Sequence, residues 1–218
     1  MITILTPTRD RAVMFERLVK SLIENQEDGI PWELIALMDD DDPAISEYDK
    51  VIERYGNVRR HLCGVHPMQS TKYNLIAPMV DSEIFGCCDD DIVCEAKGWN
   101  RMVIDRAEPD GLWLANAGTG EAFFFGRGVY EFFGWITPPQ IGHYWAITWP
   151  KDVIGSLNGA DIPAMFVEYP QEEDATHQWL LRDGHRHIAA DGNAYNAGAV
   201  EREDQKIRLK ALKESLKK

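Results

Sequence analysis

The sequence has little of what would place it in several common classes. It holds four cysteines in 218 residues, Cys63, Cys87, Cys88 and Cys94, and no two are spaced as C-x-x-C. A disulfide framework needs a denser pattern in a shorter chain, and a thiolate metal site needs such pairs. Each cysteine lies in or beside an apolar run, so buried thiols in a reducing compartment are expected. Positive charge is scarce: 23 Lys and Arg face 36 Asp and Glu, for a net charge of −13. That balance excludes a general nucleic-acid binder, which needs a basic face. No apolar run approaches the length of a membrane span. Met1 to Leu5 lead into polar residues without a basic stretch, so no signal peptide is read. The expectation is a cytoplasmic protein with no stable membrane insertion. No repeat, low-complexity tract or linker interrupts the chain. Its 44% hydrophobic content suffices for one core, so residues 1–218 read as a single domain.

Short apolar runs and helical periods alternate over the first ninety residues. ITILT (2–6) reads as a strand and PTRDR as a loop. Residues 12–25 carry apolar side chains at helical spacing. WELIALM (32–38) is a second strand, and 45–55 a helix stopped by Gly56. VRRHLCGV (58–65) is a third strand, 69–80 a helix, and SEIFGCC (82–88) a fourth strand. This β-α-β-α-β-α-β order predicts an α/β fold with a mostly parallel central sheet and helices on both faces. GLWLANAG (111–118) and MFVEYP (165–170) read as further strands. Residues 121–149 are aromatic, broken by glycine and proline, and suggest core strands with an irregular loop. Among them Trp135, Tyr144, Trp145 and Trp149 could form a sugar or base platform. The tail from Glu201 is helical and basic, with Ile207, Ala211, Leu212 and Leu216 near one face, expected to dock on the body.

Ligands of parallel sheets bind beyond the carboxyl ends of the strands. PTRDR, MDDDDP and CDDDIV all fall at those ends. Carboxylates crowded at one edge raise one another's pKa unless a cation compensates. Asp89 and Asp91, two apart on a turn, can present oxygens to a hard cation such as Mn²⁺ or Mg²⁺. An ion so loosely held keeps open positions that suit the phosphates of a nucleotide. Asp41 and Asp42, before Pro43, read instead as a turn leading into a helix.

In these residues the chain resembles a family 2-type glycosyltransferase of the GT-A fold, with some features of phage-type members. The resemblance rests on TILTPTRDR, the acidic pair after Met38, Lys72 and Asn74 in STKYNLIAP, and the D-x-D of Asp89 to Asp91. It covers residues 2–100 well and the rest loosely. It implies a GT-A (Rossmann-like) sheet with a nucleotide-sugar half (1–100), an acceptor half (101–200) and a C-terminal helix (201–218). It implies transfer of a sugar from a nucleotide-diphosphate sugar, UDP-sugars first, to a hydroxyl of a glycan, small molecule, protein or modified nucleobase. Thr6, Pro7, Thr8, Arg9, Asp39 and Asp40 would border the nucleoside, with Asp40 favoured for the base contact. Lys72, Asn74, Asp89 and Asp90 would lie along the donor, and Asp89 and Asp91 would hold Mn²⁺ or Mg²⁺. Asn116 to Gly118 would line the acceptor side.

An inverting transferase needs a base for the acceptor hydroxyl. His143 stands in PPQIGHYWAITWPKD where the family places a carboxylate, and Asp152 is the next candidate. His177, His185 and His187 could add a metal ligand, and Asp191 and Tyr195 belong to a late segment, AADGNAY, similar to phage-type members. Three other readings stay open: a relative that binds nucleotide sugars without catalysis, a nucleotidyltransferase, and a haloacid-dehalogenase-type phosphatase. The last places its D-x-D-x-V on the first strand, and a nucleotidyltransferase has a glycine-rich first loop that PTRDR lacks.

Overall fold

The apolar runs of the first ninety residues form, in chain order, β1 (Ile2–Thr8), α1 (Ala12–Asn25), β2 (Trp32–Met38), α2 (Ile45–Arg54), β3 (Val58–Leu62), α3 (Gln69–Ile76) and β4 (Ile84–Cys88). The structure is a computed structural model and describes residues 1–65, 68–118, 122–142, 148–158, 162, 165–168 and 188–217. Beyond β4 come β5 (Ile92–Cys94), α4 (Trp99–Arg106), β6 (Leu114–Asn116), β7 (Ala122–Gly126), α5 (Arg127–Phe133), α6 (Thr148–Asn158) and β8 (Phe166–Glu168). Helical residues 188–197 (α7) and then α8 (Ala199–Leu216) complete the described chain.

Six strands form one sheet in the order β3-β2-β1-β4-β7-β6. β1 to β4 are mutually parallel, and β7 is antiparallel to both β4 and β6. The strands alternate their side chains between two cores, as the period of two requires. Ile4, Leu34, Ala36, Ile84 and Phe124 face one core, with Phe15 and Leu22 of α1, Tyr48 of α2 and Trp99 of α4. Leu5, Ile35, Leu37, Phe85, Phe123 and Phe125 face the other, with Tyr73 of α3, Val153 of α6 and Leu209 of α8. Helices therefore cover both faces. Gly86 is obligatory in the middle of β4, because a Cβ there would stand 2.6 Å from the Phe124 ring. All four cysteines are buried free thiols.

Two elements differ from the sequence expectation. Residues 127–133, within the stretch expected as strands and irregular loop, form α5, closed by Gly134 in the left-handed region at φ 77°. α8 docks, but on another face. Ile207 is 69% exposed and Leu216 57%, whereas Arg202, Gln205 and Leu209 are buried. The body offers aromatic rings and a carboxylate beside the apolar core that takes Leu209. Arg202 lies 3.7 Å over the Tyr195 ring and pairs with Asp152 at 3.0 Å, and Gln205 accepts from the Trp149 indole at 2.8 Å. Trp149 is therefore a core residue and not part of a platform. Trp135 is half-buried and stacks on Phe133, and Tyr144 and Trp145 lie outside the described residues. No described helix is long and apolar enough to cross a membrane.

Candidate active site

Strand register assembles the site. Thr8, at the end of β1, is paired with Met38 at the end of β2. On its other side the register runs Leu5 to Cys87, which carries Thr8 level with Asp90 three residues further on. The acidic runs after β2 and β4 thus flank the polar loop after β1.

That loop divides its charge between them. The Arg9 guanidinium donates to Asp39 and Asp41, each at 2.7 Å. The bond to Asp41, above all, raises the arginine's pKa and fixes its charge. Arg11 donates to Asp90 at 2.9 Å and to Asp91 at 3.3 Å. Between the arginines, Asp10 takes the left-handed region at φ 55°, which aspartate tolerates better than most residues. Its N–H is held by the Asp42 carboxylate at 3.2 Å, and the same carboxylate accepts from Ala44 N at 2.8 Å. Asp42 is thus the turn residue ahead of α2. Asp41 also lies in a turn, since Asp42 N donates to Asp39 O at 3.2 Å around Asp40 and Asp41, and its carboxylate is in addition bonded by Arg9.

Asp39 is buried between two cations. Lys72, on α3, reaches it at 2.6 Å and also donates to the carbonyl of Leu37 at 3.3 Å. Lys72 is itself only 6% exposed, so this is a dry ion pair. Asp40 is exposed and folded back, its carboxylate accepting from Gly64 N at 2.8 Å. Of the acidic pair, it is Asp39 that lies between the β1 loop and α3.

The three aspartates of the β4 turn have three environments. Asp90 is buried, and burial raises its carboxyl to about pKa 6 against the pull of Arg11 and Thr8. It ends a chain of hydrogen bonds: Arg11 N donates to Tyr48 OH at 2.9 Å, Tyr48 donates to Thr8 at 2.6 Å, and Thr8 donates to Asp90 at 2.7 Å. Asp90 and Thr8 therefore brace the turn from within. Asp89 and Asp91 are half-buried, and Asp89 accepts from Gln69 at 2.9 Å. Among the described residues no three His, Cys, Asp or Glu side chains converge to cage an ion. Two half-buried carboxylates two residues apart still match a hard cation whose remaining ligands come from a substrate.

Other residues fall elsewhere. Thr6 is buried within β1 and Pro7 half-buried. Asn74 is bonded to the segment after α5: its amide donates to Thr137 O at 2.7 Å and accepts from Ile136 N at 2.8 Å. It secures the segment that leads to Gly142. Gly142 in turn accepts from Ser70 N at 3.2 Å and donates to Asp191 at 3.0 Å. Asp152, the second candidate base, pairs with Arg202 at 3.0 Å and Lys206 at 3.4 Å and holds α8. Its carboxylate is engaged in packing a helix. His143, His177, His185 and His187 lie outside the described residues. Asn116 ends β6 level with Phe123, two strand spacings (about 10 Å) from Cys87 across β7. Sequence reasoning missed Arg11, Gln69 and Tyr48. The charge balance of TPTRDR, two arginines opposite two acidic runs, carried the signal for Arg11.

No family profile matches the sequence, and no curated protein is detectably similar to it. Solved structures are similar in fold. One is the mannosyltransferase PcManGT from Pyrobaculum calidifontis in complex with GDP-Man and Mn²⁺, with TM-score 0.66 and 16% identity over 89% of this chain and 64% of that one. Another is S. aureus TarS 1-349 in complex with UDP, with TM-score 0.55 and 10% identity over 70% of this chain and 54% of that one. The chain thus spans less than two thirds of the length of either. At these identities the likeness establishes the fold: a GT-A-like glycosyltransferase fold, with a mostly parallel six-stranded sheet between helices.

Proposed function

We propose that this chain is a metal-dependent glycosyltransferase that moves a sugar from a nucleotide-diphosphate sugar, UDP-sugars first and GDP-mannose next, to an acceptor hydroxyl with inversion. The observation that carries the reading is the meeting of two acidic runs at the carboxyl edge of the sheet, joined by one basic loop. Thr6 to Arg9, Asp39, Asp40 and Lys72 would form the nucleoside side, with exposed Asp40 favoured for the base contact and buried Asp39 holding Arg9 and Lys72 in place. Asp89 and Asp91 would hold the cation, and Asp90 would brace them. Bound there, Mn²⁺ or Mg²⁺ would neutralise charge growing on the diphosphate. In the reaction the acceptor oxygen loses its proton to a base and bonds to the anomeric carbon. The bond from that carbon to the diphosphate oxygen breaks, and the nucleoside diphosphate leaves with the electron pair. His143 is assigned as the base. It follows Gly142, which is tied to α3 one residue from Gln69, the partner of Asp89. Imidazole titrates in the range the task needs.

The fold likeness, in which the two structures above were solved with GDP-Man and Mn²⁺ or with UDP, supports the choice of ligands to test. Nucleotide sugars are screened by thermal shift with Mn²⁺. A ligand at a hundred times its Kd stabilises by about 2.7 kcal/mol. An Asp89→Ala/Asp91→Ala variant loses the Mn²⁺-dependent part of that shift. Full retention of it would remove the cation site. Donor binding with neither transfer nor slow donor hydrolysis would leave a binding protein instead.

A further inference from the structure

We propose that Arg11 is a built-in counter-cation of the acidic turn that competes with the divalent ion for Asp91, so that the ion binds together with the nucleoside diphosphate and not ahead of it. This rests on the metal-dependent reading above. The arginine contacts two carboxylates unequally, at 2.9 Å to Asp90 and 3.3 Å to Asp91. Asp90, only 4% exposed at its side chain, is also held by Thr8. It is the permanent partner. Asp91 takes the longer bond and belongs to the pair suited to a cation, so it is the exchangeable one. Arg11 has little room to move: its side chain is 10% exposed and bonded to buried Asp90 at 2.9 Å, and its backbone N–H is held by Tyr48 OH at 2.9 Å.

An ion bound to Asp91 would therefore sit a few ångströms from a fixed positive charge, in a place too dry for salt to screen the repulsion. A diphosphate changes the balance. Its negative oxygens neutralise the ion and can accept N–H groups that Asp91 gives up. Without it the arginine does the work of the cation and keeps the neighbouring Asp90 and Asp91 carboxylates compatible with folding. With it, guanidinium and ion share the new charge.

The test is Mn²⁺ binding by titration calorimetry, with and without UDP or GDP, in the wild-type chain and in Arg11→Gln. The wild type should bind Mn²⁺ weakly alone and far more tightly with one of the nucleotides. Arg11→Gln should bind Mn²⁺ alone roughly tenfold or more tightly than the wild type, with a smaller gain from nucleotide. Arg11→Gln/Asp90→Asn, which removes the buried charge the single variant strands, should show the same gain and serves if the single variant fails to fold. Equal affinity for Mn²⁺ alone in all three proteins, with nucleotide-linked binding intact, would overturn the role of Arg11 and leave the proposed function standing. No Mn²⁺ binding by the wild type with either nucleotide would overturn both.

Discussion

Replacing Asp90 by asparagine should change how stability depends on pH more than stability itself. Asp90 is 3% exposed, and burial lifts its carboxyl from an ordinary 3.8 to about 6, despite bonds from Arg11 and Thr8. A carboxyl raised on folding keeps its proton longer in the native state than in the unfolded chain. Between about pH 4 and pH 6 the native state then binds more protons, so stability falls as pH rises through that window. With about 1.4 kcal/mol per pKa unit, a shift of about two units makes the fall ~3 kcal/mol, complete above about pH 7. The substituted amide cannot ionise, and the contributions of all other groups cancel in the difference between the two proteins. Urea unfolding at a series of pH values measures it. The Asp90→Asn protein should gain on the wild type by ~3 kcal/mol between about pH 4 and pH 7 and then hold level. The constant offset is not the test, because the amide keeps an acceptor for Thr8 but loses the ion pair with Arg11. Parallel profiles for the two proteins would refute the reasoning, since Asp90 would then titrate alike folded and unfolded.

Two further substitutions separate structural from catalytic roles. Asn74→Ala strands the backbone groups of Ile136 and Thr137, and should cost about 1–3 kcal/mol in urea unfolding, with faster amide exchange at those two residues. A loss of donor affinity with unchanged exchange would instead return Asn74 to the donor. Asp152→Asn should cost about 1 kcal/mol or less, because the pair with Arg202 is more than a third exposed on the aspartate side, and should speed proteolysis at α8. Its kcat should stay within about threefold of the wild type, whereas loss of a base costs about 10²- to 10⁴-fold.

The periodicity of the first ninety residues locates α1 and β2 to the residue, the other elements there within about three, and the end of α3 within four. These segments are legible because each buries a regular stripe or a whole strand, and the sequence itself states that pattern. The same holds for the acidic runs, whose place after strands is a matter of order. What the sequence does not state is who meets whom. Asp39 and Asp40 are neighbours of one type, and only the register and the backbone of Gly64 send one inward and the other out. Asn74 belongs by sequence to the donor segment, yet its amide is spent on a segment sixty residues away. On α8 the largest apolar residues misled. Arginine and glutamine join Leu209 on the docked face because the surface beneath offers indole, phenol and carboxylate beside its apolar core.

The small sheet of β5 and β8 has a consequence for the order in which the chain assembles. β5 begins at Ile92, directly after Asp91, and its partner strand is Phe166–Glu168. All six strands of the main sheet lie within residues 2–126, about forty residues ahead of that partner in the order of synthesis. During synthesis the sheet can close while β5 is held from the α1 side, by Ser21 and Asn25, and still lacks its strand partner. The main sheet and the small sheet behind the acidic turn can thus mature as two separate events, and a nascent chain halted between them would carry the first without the second.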